Sequence, residues 1–510
     1  MTGNRDRSLL SHDVCPDKGL LALPERVLQI GEGNFLRGFV DWMIHGLNQH
    51  DLFRGRIVVV APRTTGAPNI DRLNRQDGLF TVWLRGVQQG VQVEEREIVS
   101  SVSRGIDPYQ HWGEFLGCAE NPEIDIVVSN TTESGIQYTP EDFKSGTPVQ
   151  SFPGKLTAYL YHRYCHFDGA ASAGMTIVPC ELIDNNGDKL REIVLHHADD
   201  WQLPRSFTEW VQSHNHFCNT LVDRIVTGFP QGEDADDLLS ALPYRDELVT
   251  VGEPFHLWVI EADERLKSAW PFEKIGMNAH YVTDVTPYRI QKVRILNGAH
   301  TAMCALGLLS GLQTVGEVMD QPILGLFVRR LIDEEIVPTL LASVPAIDKA
   351  TVEEFAGSVV DRFRNPFVHH ELNSITLNGL SKIRVRLIPT LYEYYQNREQ
   401  VPALLAASIA AQLLFYRNAD SHTERWIIRD DPEMVQMIAD IWREEATVGL
   451  EATISTLLGT TELWSQDLNE IDGLREGIAV FIHSVRTHGI IAALESVVRQ
   501  CGQSRGNVAR

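Results

Sequence analysis

The sequence predicts an α/β domain, built on a doubly wound and mostly parallel sheet, followed by a domain that is mostly α-helical. Residues 26–61 support this prediction because they pass from an apolar strand through a glycine turn and an amphipathic stretch to a second apolar strand, as a βαβ unit does. Further buried-strand patterns at 80–84, 124–130 and 175–183 alternate with helical patterns, which favours a sheet covered on both faces. Beyond about residue 283, long amphipathic stretches replace the strand patterns.

The chain is long enough for more than one hydrophobic core, since 510 residues exceed the usual size of a single domain. We place the boundary at 284–287, which gives an amino-terminal domain at 1–283 and a carboxy-terminal domain at 284–510. Helices in the second domain are predicted at 322–343, 351–363, 380–396, 402–416, 432–457 and 472–500. The polar ends, 1–22 and 502–510, are predicted to fray.

The composition is that of an ordinary globular protein, with 43% hydrophobic and 22% charged residues. No apolar run approaches the roughly 20 residues that a membrane-spanning helix needs, so we expect no membrane partner. The formal net charge of −23 argues against nucleic acid as a partner, because phosphate backbones attract basic proteins. The first residues lack the apolar core of a secretory signal, which predicts a cytoplasmic protein.

Neither the cysteines nor the histidines predict a metal site. The seven cysteines are scattered and contain no CxxC pair, so neither a disulfide framework nor a zinc knuckle is indicated. No cysteine or carboxylate completes a ligand set around the close histidine pairs, which are predicted to lie on the surface: 162/166, 196/197, 214/216 and 369/370. We therefore expect no metal cofactor.

The turn after the first strand carries the pattern GEGNFL. Gly31 and Gly33 would let the backbone approach a pyrophosphate, and the following helix would present free N–H groups and its positive dipole end. The third glycine of the usual GxGxxG pattern is absent, because Leu36 stands in its place. The position of the motif nevertheless predicts a Rossmann-type dinucleotide site that includes Gly31, Glu32, Gly33, Asn34 and Phe35.

The acid that usually binds the ribose hydroxyls of NAD, at the end of the second strand, is missing from IVVVAPRTTG. Arg63 could instead favour the 2′-phosphate of NADP, or it could be a solvated loop charge, and the residues leave both interpretations open. Thr132 and Glu133 follow the strand predicted at 124–130, which should end on the cofactor side of the sheet. We therefore include both among the predicted cofactor-binding residues, although a loop charge explains Glu133 equally well.

A lysine, an amide and an imidazole follow one another in QKVRILNGAHTAM as Lys292, Asn297 and His300. In a helix with about 100° between residues, the three side chains would fan over roughly 140° of one face. The lysine could carry a proton to or from a hydroxyl, and the other two could donate hydrogen bonds to an oxygen that gains negative charge. The alternative interpretation is a basic, amphipathic helix start in which Asn297–Gly298 is a turn.

Long motifs spread over residues 24–500 resemble the mannitol dehydrogenase family of long-chain polyol dehydrogenases. They are GEGNFLRGFVDWM, QDGLFTVWLRG, SNTTESGI, PCELIDNNGDKL, TLVDRIVTGFP, FHLWVIE, KVRILNGAHTA and FRNPF. The resemblance implies an NAD-dependent, metal-independent oxidoreductase with a Rossmann-type amino-terminal domain and a helical carboxy-terminal domain. It also implies that Lys292 is the general acid/base, that Asn297 polarises the reacting oxygen, and that His300 binds a substrate hydroxyl.

The resemblance further implies which residues contact the substrate. Asp223 in LVDRI matches an aspartate near the substrate, and Lys382 in LSKIRVR matches a substrate-contacting lysine. The PCELI form, with Leu182 where mannitol dehydrogenases carry an asparagine, is similar to the branch of the family that reduces tagaturonate. Such a substrate carries a carboxylate, which a guanidinium binds well. The candidates, which the sequence does not rank, are Arg37, Arg224, Arg384 and Arg386.

Other interpretations of these residues remain open, and besides Leu182 the chain departs from the mannitol dehydrogenases at two further places. Asp223 and Arg224 could form a structural ion pair, and Lys382 could extend from a helix to solvent. Arg289 stands where mannitol dehydrogenases have an acid that relays protons, three residues before the lysine, and Ser374 replaces an arginine. A like charge near Lys292 would favour its uncharged form.

The resemblance predicts hydride transfer from NADH to the keto group of D-tagaturonate, an anionic sugar acid, to give D-altronate in hexuronate catabolism. The same chemistry on fructuronate or on fructose is the nearest alternative. A dinucleotide-binding sensor without catalysis is an alternative of a different class, against which the intact Lys292, Asn297 and His300 speak.

Overall fold

The computed structural model describes residues 7–232, 235–417 and 428–506. The chain divides into two compact units, of which the first comprises residues 1–85 and 92–285 and the second residues 86–91 and 286–510. Each unit is described separately below.

All strands of the described residues lie before residue 283. They are β1 (Glu25–Ile30), β2 (Arg56–Val60), β3 (Phe80–Gln88), β4 (Val91–Val99), β5 (Val102–Ile106), β6 (Ile126–Ser129), β7 (Thr176–Pro179), β8 (His216–Phe217), β9 (Thr220–Asp223), β10 (Val226–Gly228), β11 (Thr250–Gly252), β12 (Leu257–Glu261) and β13 (Ala279–Val282). The helices of the first unit are α1 (Asn34–Leu36), α2 (Trp42–Gln49), α3 (Ala67–Arg75), α4 (Trp112–Gly117), α5 (Phe152–His166), α6 (Asn186–Asp200), α7 (Arg205–His214), α8 (Ala235–Ser240) and α9 (Glu264–Ala269). A π-helical segment, Arg37–Asp41, joins α1 to α2.

Six parallel strands form the main sheet in the order β5-β2-β1-β6-β7-β8. Successive side chains of a strand point to opposite faces, so Val27 joins the core on one face of the sheet and Leu28 the core on the other. The strand order reverses between β1 and β6, which is where doubly wound sheets bind their ligands at the carboxyl ends of the strands. The predicted doubly wound α/β fold is therefore confirmed.

Two details of the prediction for this unit were wrong. The strand predicted at 80–84 exists as part of β3, but it belongs to a separate four-stranded sheet in the order β10-β11-β3-β4. The predicted fraying of 1–22 was wrong for residues 7–22, while residues 1–6 lie outside the described part. Leu10 and Cys15 are buried, and Leu10 N donates to Arg245 O at 2.9 Å. The prediction failed because isolated apolar residues in a polar segment form no pattern that indicates burial.

The second unit contains helices and no strand within the described ranges 286–417 and 428–506, as predicted. They are α10 (Thr286–Gln291), α11 (Gly298–Leu309), α12 (Val315–Asp320), α13 (Pro322–Arg330), α14 (Val337–Ser343), α15 (Lys349–Phe363), α16 (Leu372–Ile375), α17 (Gly379–Arg386), α18 (Ile388–Arg398), α19 (Ala403–Arg417), α20 (Pro432–Arg443), α21 (Glu445–Val448), α22 (Leu450–Gly459), α23 (Thr461–Trp464), α24 (Leu474–His488) and α25 (Ile490–Gly506). Two π-helical segments, Lys292–Asn297 and Leu331–Ile336, continue α10 into α11 and α13 into α14.

Among the described helices, none combines the length and the apolar character that crossing a bilayer would require.

A buried carboxylate holds the start of α19, a helix in which most residues are buried. Glu335 accepts hydrogen bonds from Leu404 N and Leu405 N, each at 2.8 Å, and thereby satisfies two N–H groups that a helix leaves without an intrahelical partner. Burial raises the pKa of Glu335 to about 7. The neighbouring Glu334 instead forms a helical ion pair with Arg330 at 2.9 Å.

Replacing Glu335 with alanine should lower the free energy of unfolding by about 2–4 kcal/mol, because two buried N–H groups lose their acceptor. The native state holds a proton on Glu335 that the unfolded chain releases near pH 4.5. The contribution of the carboxyl group to stability therefore falls as pH rises from 4.5 to about 7, so the deficit of the variant should be larger at pH 5 than at pH 8. Urea denaturation followed by circular dichroism measures both effects. Glu334→Ala is the matched control, with an expected loss of about 0.5 kcal/mol or less, and equal losses for the two variants would contradict the assignment.

Candidate active site

The turn between β1 and α1 has the backbone that the two glycines of GEGNFL were expected to allow. Gly31 has a φ of +138°, and a Cβ there would lie 2.7 Å from Asn130 O and 2.8 Å from Leu36 Cδ1. Gly33 is exposed and extended, and a Cβ there would meet no atom within 4 Å. The fold of the turn therefore requires a glycine at position 31. Gly33, in contrast, leaves open space in front of the helix that begins at Asn34. An anion such as a pyrophosphate fits this arrangement.

Arg37 stabilises the turn between β1 and α1 through hydrogen bonds. Its guanidinium donates to Glu32 O, to Asn34 Oδ1 and, at 3.1 Å, to Thr250 Oγ1, and the side chain is buried. Burial lowers the pKa of Arg37 to about 10, an effect that the nearby Asp41 opposes. These contacts favour a positioning role for Arg37 over the predicted contact with a substrate carboxylate, which stays a prediction.

The remaining cofactor residues predicted from the sequence lie around the same turn and at the end of β6. Phe35 is half-buried and stacks on Phe39 with 5.0 Å between ring centroids. Thr132 is exposed, and its hydroxyl lies 2.8 Å from Ser134 Oγ. Glu133 begins a short 3₁₀ turn, and its side chain lies outside the described part.

Sequence reasoning missed a buried acid that ties the ends of β6 and β7 together. Glu181 accepts hydrogen bonds from Ser129 Oγ at 3.0 Å and from Thr131 N at 3.0 Å, and burial raises its pKa. Asn130 Nδ2 donates to Cys180 O at 2.6 Å across the same two strands. The PCELI motif was the available signal, since it places an acid directly after a buried strand.

A second missed residue, Lys155, holds the loop after β2. Its buried Nζ donates to Pro62 O at 3.2 Å, to Gln150 O at 2.6 Å and to Tyr109 OH at 2.9 Å. Burial lowers the pKa of Lys155 to about 8. Arg63, which follows Pro62, is exposed. The end of β2 is thus held by a buried amine and carries an arginine on its surface.

Asp223 and Arg224 lie at the end of β9, and both are buried. Arg224 donates from Nε to Glu253 O at 2.8 Å and from Nη1 to Gly38 O at 2.7 Å, while its guanidinium carbon lies 4.3 Å from the centroid of the Trp42 ring. Burial lowers the pKa of Arg224 to about 9. Backbone carbonyls and an aromatic face contact this guanidinium, while its buried Nη2 has no hydrogen-bonding partner among the described residues. The predicted contact between Arg224 and substrate stays a prediction.

In the second unit, the segment with Lys292, Asn297 and His300 is helical throughout but not regular. Lys292–Asn297 is a π-helical turn, and Gly298 begins α11 without a break. The angular spacing expected for a regular α-helix is therefore wrong, as is the alternative in which Asn297–Gly298 forms a turn. Single π turns inside α-helices occur frequently at functional sites. Lys292 and Asn297 are half-buried, and the side-chain amide of Asn297 has no hydrogen-bonding partner among the described residues.

His300 is buried in a group of residues drawn from four parts of the unit. Its ring centroid lies 4.3 Å from that of Phe363 and 4.8 Å from that of His370. Burial and the positive charge of Lys382 lower the pKa of His370. Lys382 Nζ donates to Ile375 O at 2.8 Å, and its own pKa is lowered by burial and by the charge of Arg386. The second unit thus brings His300, His370, Lys382 and Arg386 together.

The two carboxylate candidates on α17 differ in what they contact. Arg384 donates to Leu463 O at 3.2 Å and to Glu462 O at 3.0 Å, so protein carbonyls occupy its guanidinium. Arg386 is half-buried and donates from Nη1 to Thr301 Oγ1 at 3.2 Å, one residue after His300. Of the two candidates on α17, Arg386 is therefore the one that contacts the residue next to His300.

In the described ranges, no cluster of three or more histidine, cysteine, aspartate or glutamate side chains could hold a metal ion. The prediction that the histidine pairs lie on the surface was wrong for His197, which is completely buried, and for His162 and His370, which are half-buried. The aromatic rings of Tyr138 and Trp201 pack on His197, with centroids 5.0 and 5.1 Å away.

Two family models match the chain, and together they cover most of it. The mannitol dehydrogenase Rossmann domain matches residues 25–274, and the mannitol dehydrogenase C-terminal domain matches residues 284–485. Among solved structures, the fold is similar to D-sorbitol dehydrogenase, with a TM-score of 0.75, 20% identity and coverage of 95% of this chain and 100% of that one. It is also similar to mannitol 2-dehydrogenase of Pseudomonas fluorescens, with a TM-score of 0.62, 24% identity and coverage of 94% and 95%.

Curated relatives match at higher identity over nearly the whole chain. Altronate oxidoreductase of Bacillus subtilis (strain 168) is 44% identical over 482 residues, which cover 94% of this chain and 97% of the relative. Altronate oxidoreductase of Halalkalibacterium halodurans is 39% identical over 509 residues, or 97% of this chain and 98% of the relative. With both of its domain models matched and these identities over almost its full length, the chain belongs to the mannitol dehydrogenase family.

Proposed function

We propose that the protein is an NAD-dependent oxidoreductase that reduces the keto group of D-tagaturonate to give D-altronate and that also runs in reverse. One observation carries the proposal, namely 39–44% identity over almost the whole chain to enzymes named altronate oxidoreductase. Solved structures of the family share the fold at lower identity and do not discriminate among substrates.

The residues at the end of β1 fit a dinucleotide. Gly31 is the residue that lets the chain turn beside Asn130 O, and Gly33 leaves space for a pyrophosphate in front of the helix that begins at Asn34. When bound there, the nicotinamide of NADH supplies the hydride. Within the proposal, Glu32, Asn34, Phe35, Thr132 and Glu133 contribute the rest of the cofactor contacts.

The proton chemistry falls to the π-helical turn of the second unit. Lys292 Nζ gives its proton to the oxygen of the reduced carbon, and in the reverse direction it removes the proton from the hydroxyl. Asn297 donates from a side-chain amide that has no other partner in the described part, and His300 donates from its ring to the same oxygen or to a neighbouring hydroxyl. Asp223 contributes as a further substrate contact.

A sugar acid needs a cationic partner for its carboxylate, and we assign this role to Lys382 and Arg386. Burial and the nearby positive charge of Arg386 lower the pKa of Lys382, and Arg386 contacts Thr301 directly after His300. A planar guanidinium can bind a carboxylate through two hydrogen bonds. A neutral polyol such as mannitol has no carboxylate for the guanidinium of Arg386 to bind.

Two further statements belong to the proposal. The functional division of the chain falls between residues 283 and 284, close to the start of α10. The protein acts in the cytoplasm, which suits its six free cysteines among the described residues, because that compartment keeps thiols reduced.

The test is the oxidation of NADH and of NADPH, followed separately by absorbance, with tagaturonate, fructuronate and fructose at equal concentration. We expect turnover of tagaturonate with NADH to exceed every other combination. Turnover with fructose alone would identify a polyol dehydrogenase. Cofactor binding without turnover on any of the three would favour a sensor and overturn the proposal.

A further inference from the structure

The end of β2 lacks the acid that dinucleotide-binding folds place there. In those folds a carboxylate at this position binds the 2′-hydroxyl of the adenosine ribose and repels the 2′-phosphate of NADP. Here β2 continues into Ala61, Pro62 and Arg63, and Arg63 is exposed. The part of the site that distinguishes the two cofactors must therefore come from elsewhere in the chain.

The carboxylate of Glu32, which comes from the glycine turn after β1, lies close to the end of β2. A Cβ on Gly66, at the start of α3, would lie 2.6 Å from Glu32 Oε1, 2.8 Å from Glu32 Cδ and 3.0 Å from Ala61 Cβ. The carboxylate thus lies against Gly66 and close to Ala61, the residue that directly follows β2. Because Gly66 carries no side chain, the position remains available to Glu32.

The backbone of Glu32 is held in place while its carboxylate remains an available acceptor. Arg37 donates to Glu32 O from below, and Gly31 fixes the preceding bend. The side chain is half-buried and forms no ion pair with another described residue. Burial raises the pKa of Glu32, although a hydrogen bond from its own backbone N–H and the charges of Arg37 and Arg63 act in the opposite direction.

We propose that Glu32 accepts a hydrogen bond from the 2′-hydroxyl of the adenosine ribose, in place of the missing acid after β2, and thereby selects NAD over NADP. The proposal rests on the proposed function only in that the chain binds a nicotinamide dinucleotide. Arg63 lies at the same edge of the ribose, and its positive charge attracts a 2′-phosphate where the negative charge of Glu32 repels one. Once the charge of Glu32 is removed, Arg63 becomes a partner for a 2′-phosphate.

The experiment measures binding of ADP-ribose and of 2′-phospho-ADP-ribose by calorimetry, which involves neither hydride transfer nor sugar substrate. The unsubstituted protein should bind ADP-ribose more tightly. In Glu32→Gln, the amide oxygen can still accept the hydrogen bond but its negative charge is gone, which should weaken ADP-ribose roughly tenfold. Binding of 2′-phospho-ADP-ribose should become tighter, and Arg63→Ala in the same chain should remove that gain.

Two more variants separate position from charge. Gly66→Ala keeps the charge of Glu32 but places a methyl group 2.6 Å from its present carboxylate position, so it should also weaken ADP-ribose. The backbone of Gly66 is ordinary for alanine, with φ −80° and ψ −17°. Asp71→Asn removes an exposed acid from α3, the helix that follows Gly66. It should leave the affinities for ADP-ribose and 2′-phospho-ADP-ribose unchanged.

The proposal is overturned if Glu32→Gln keeps both the affinity for ADP-ribose and its preference over the 2′-phosphate form. It is equally overturned if Asp71→Asn changes the preference as much as Glu32→Gln does, because the effect would then be one of overall charge. Thermal melting of each variant shows whether it is folded. A failure of tagaturonate turnover would overturn the proposed function and leave these binding results intact.

Discussion

Replacing Lys292 with methionine should lower kcat for tagaturonate reduction roughly a thousandfold while leaving NADH binding unchanged. The estimate follows from the contribution of a well-placed general acid, about 10²- to 10⁴-fold. Methionine has nearly the length of lysine and no proton to give, so the half-buried π turn should keep its packing. Steady-state rates and titration of NADH fluorescence measure the two quantities.

Lys349→Met is the matched control for this experiment. Lys349 is an exposed lysine of α15 in the same unit, paired with Glu353 at 3.5 Å, and its replacement should leave kcat unchanged. In Lys292→Ala, small primary amines added to the solution should restore part of the rate, because they can deliver the missing proton. A near-normal rate in Lys292→Met would remove Lys292 from the mechanism.

The sequence predicted the parallel sheet well because its evidence is local. A strand that is buried on both faces reads as a continuous apolar run, and the glycine turn follows the first such run directly. The pattern at 80–84 is of the same kind and did form a strand. Its partners, β4 and β11, were not predictable because an apolar run does not specify which sheet it joins.

For the candidate site, the sequence predicted only the residues that lie close together along the chain. Lys292, Asn297 and His300 were found from one segment, but the π turn beneath them adds a residue to the helical turn, and nothing in KVRILN marks it. His370 and Lys155 act through partners that are distant in sequence. A single sequence contains no record of such contacts.

The placement of Glu32 illustrates the same limit. The sequence shows that an acid is missing after β2 and that another is present in GEGNFL, yet it gives no reason to connect the two. The connection appears only when Gly66 is seen to leave room for a carboxylate from a different turn. Arg63, which alone suggested NADP, then has an acid beside it.

Gly31→Ala should abolish measurable NADH binding and lower the free energy of unfolding by about 2–4 kcal/mol. Alanine at a φ of +138° is strained, and its Cβ would lie 2.7 Å from Asn130 O, so β1 and the end of β6 would have to separate. The turn that should receive the pyrophosphate would move with them. Urea denaturation and titration of NADH fluorescence report the two losses.

Gly33→Ala separates the two roles of the glycines in GEGNFL, which are to allow the turn to form and to let the pyrophosphate approach the backbone. Gly33 has a φ of −74°, and a Cβ there would meet no atom within 4 Å, so stability should change by about 0.5 kcal/mol or less. If the backbone at Gly33 approaches the pyrophosphate, the added methyl group should still weaken NADH at least roughly tenfold. Gly113→Ala in α4, which also faces open space, is the control in which neither binding nor stability should fall. Unchanged NADH affinity in Gly33→Ala would mean that the cofactor does not contact this turn closely, whereas a loss of binding without a loss of stability would place the pyrophosphate against it.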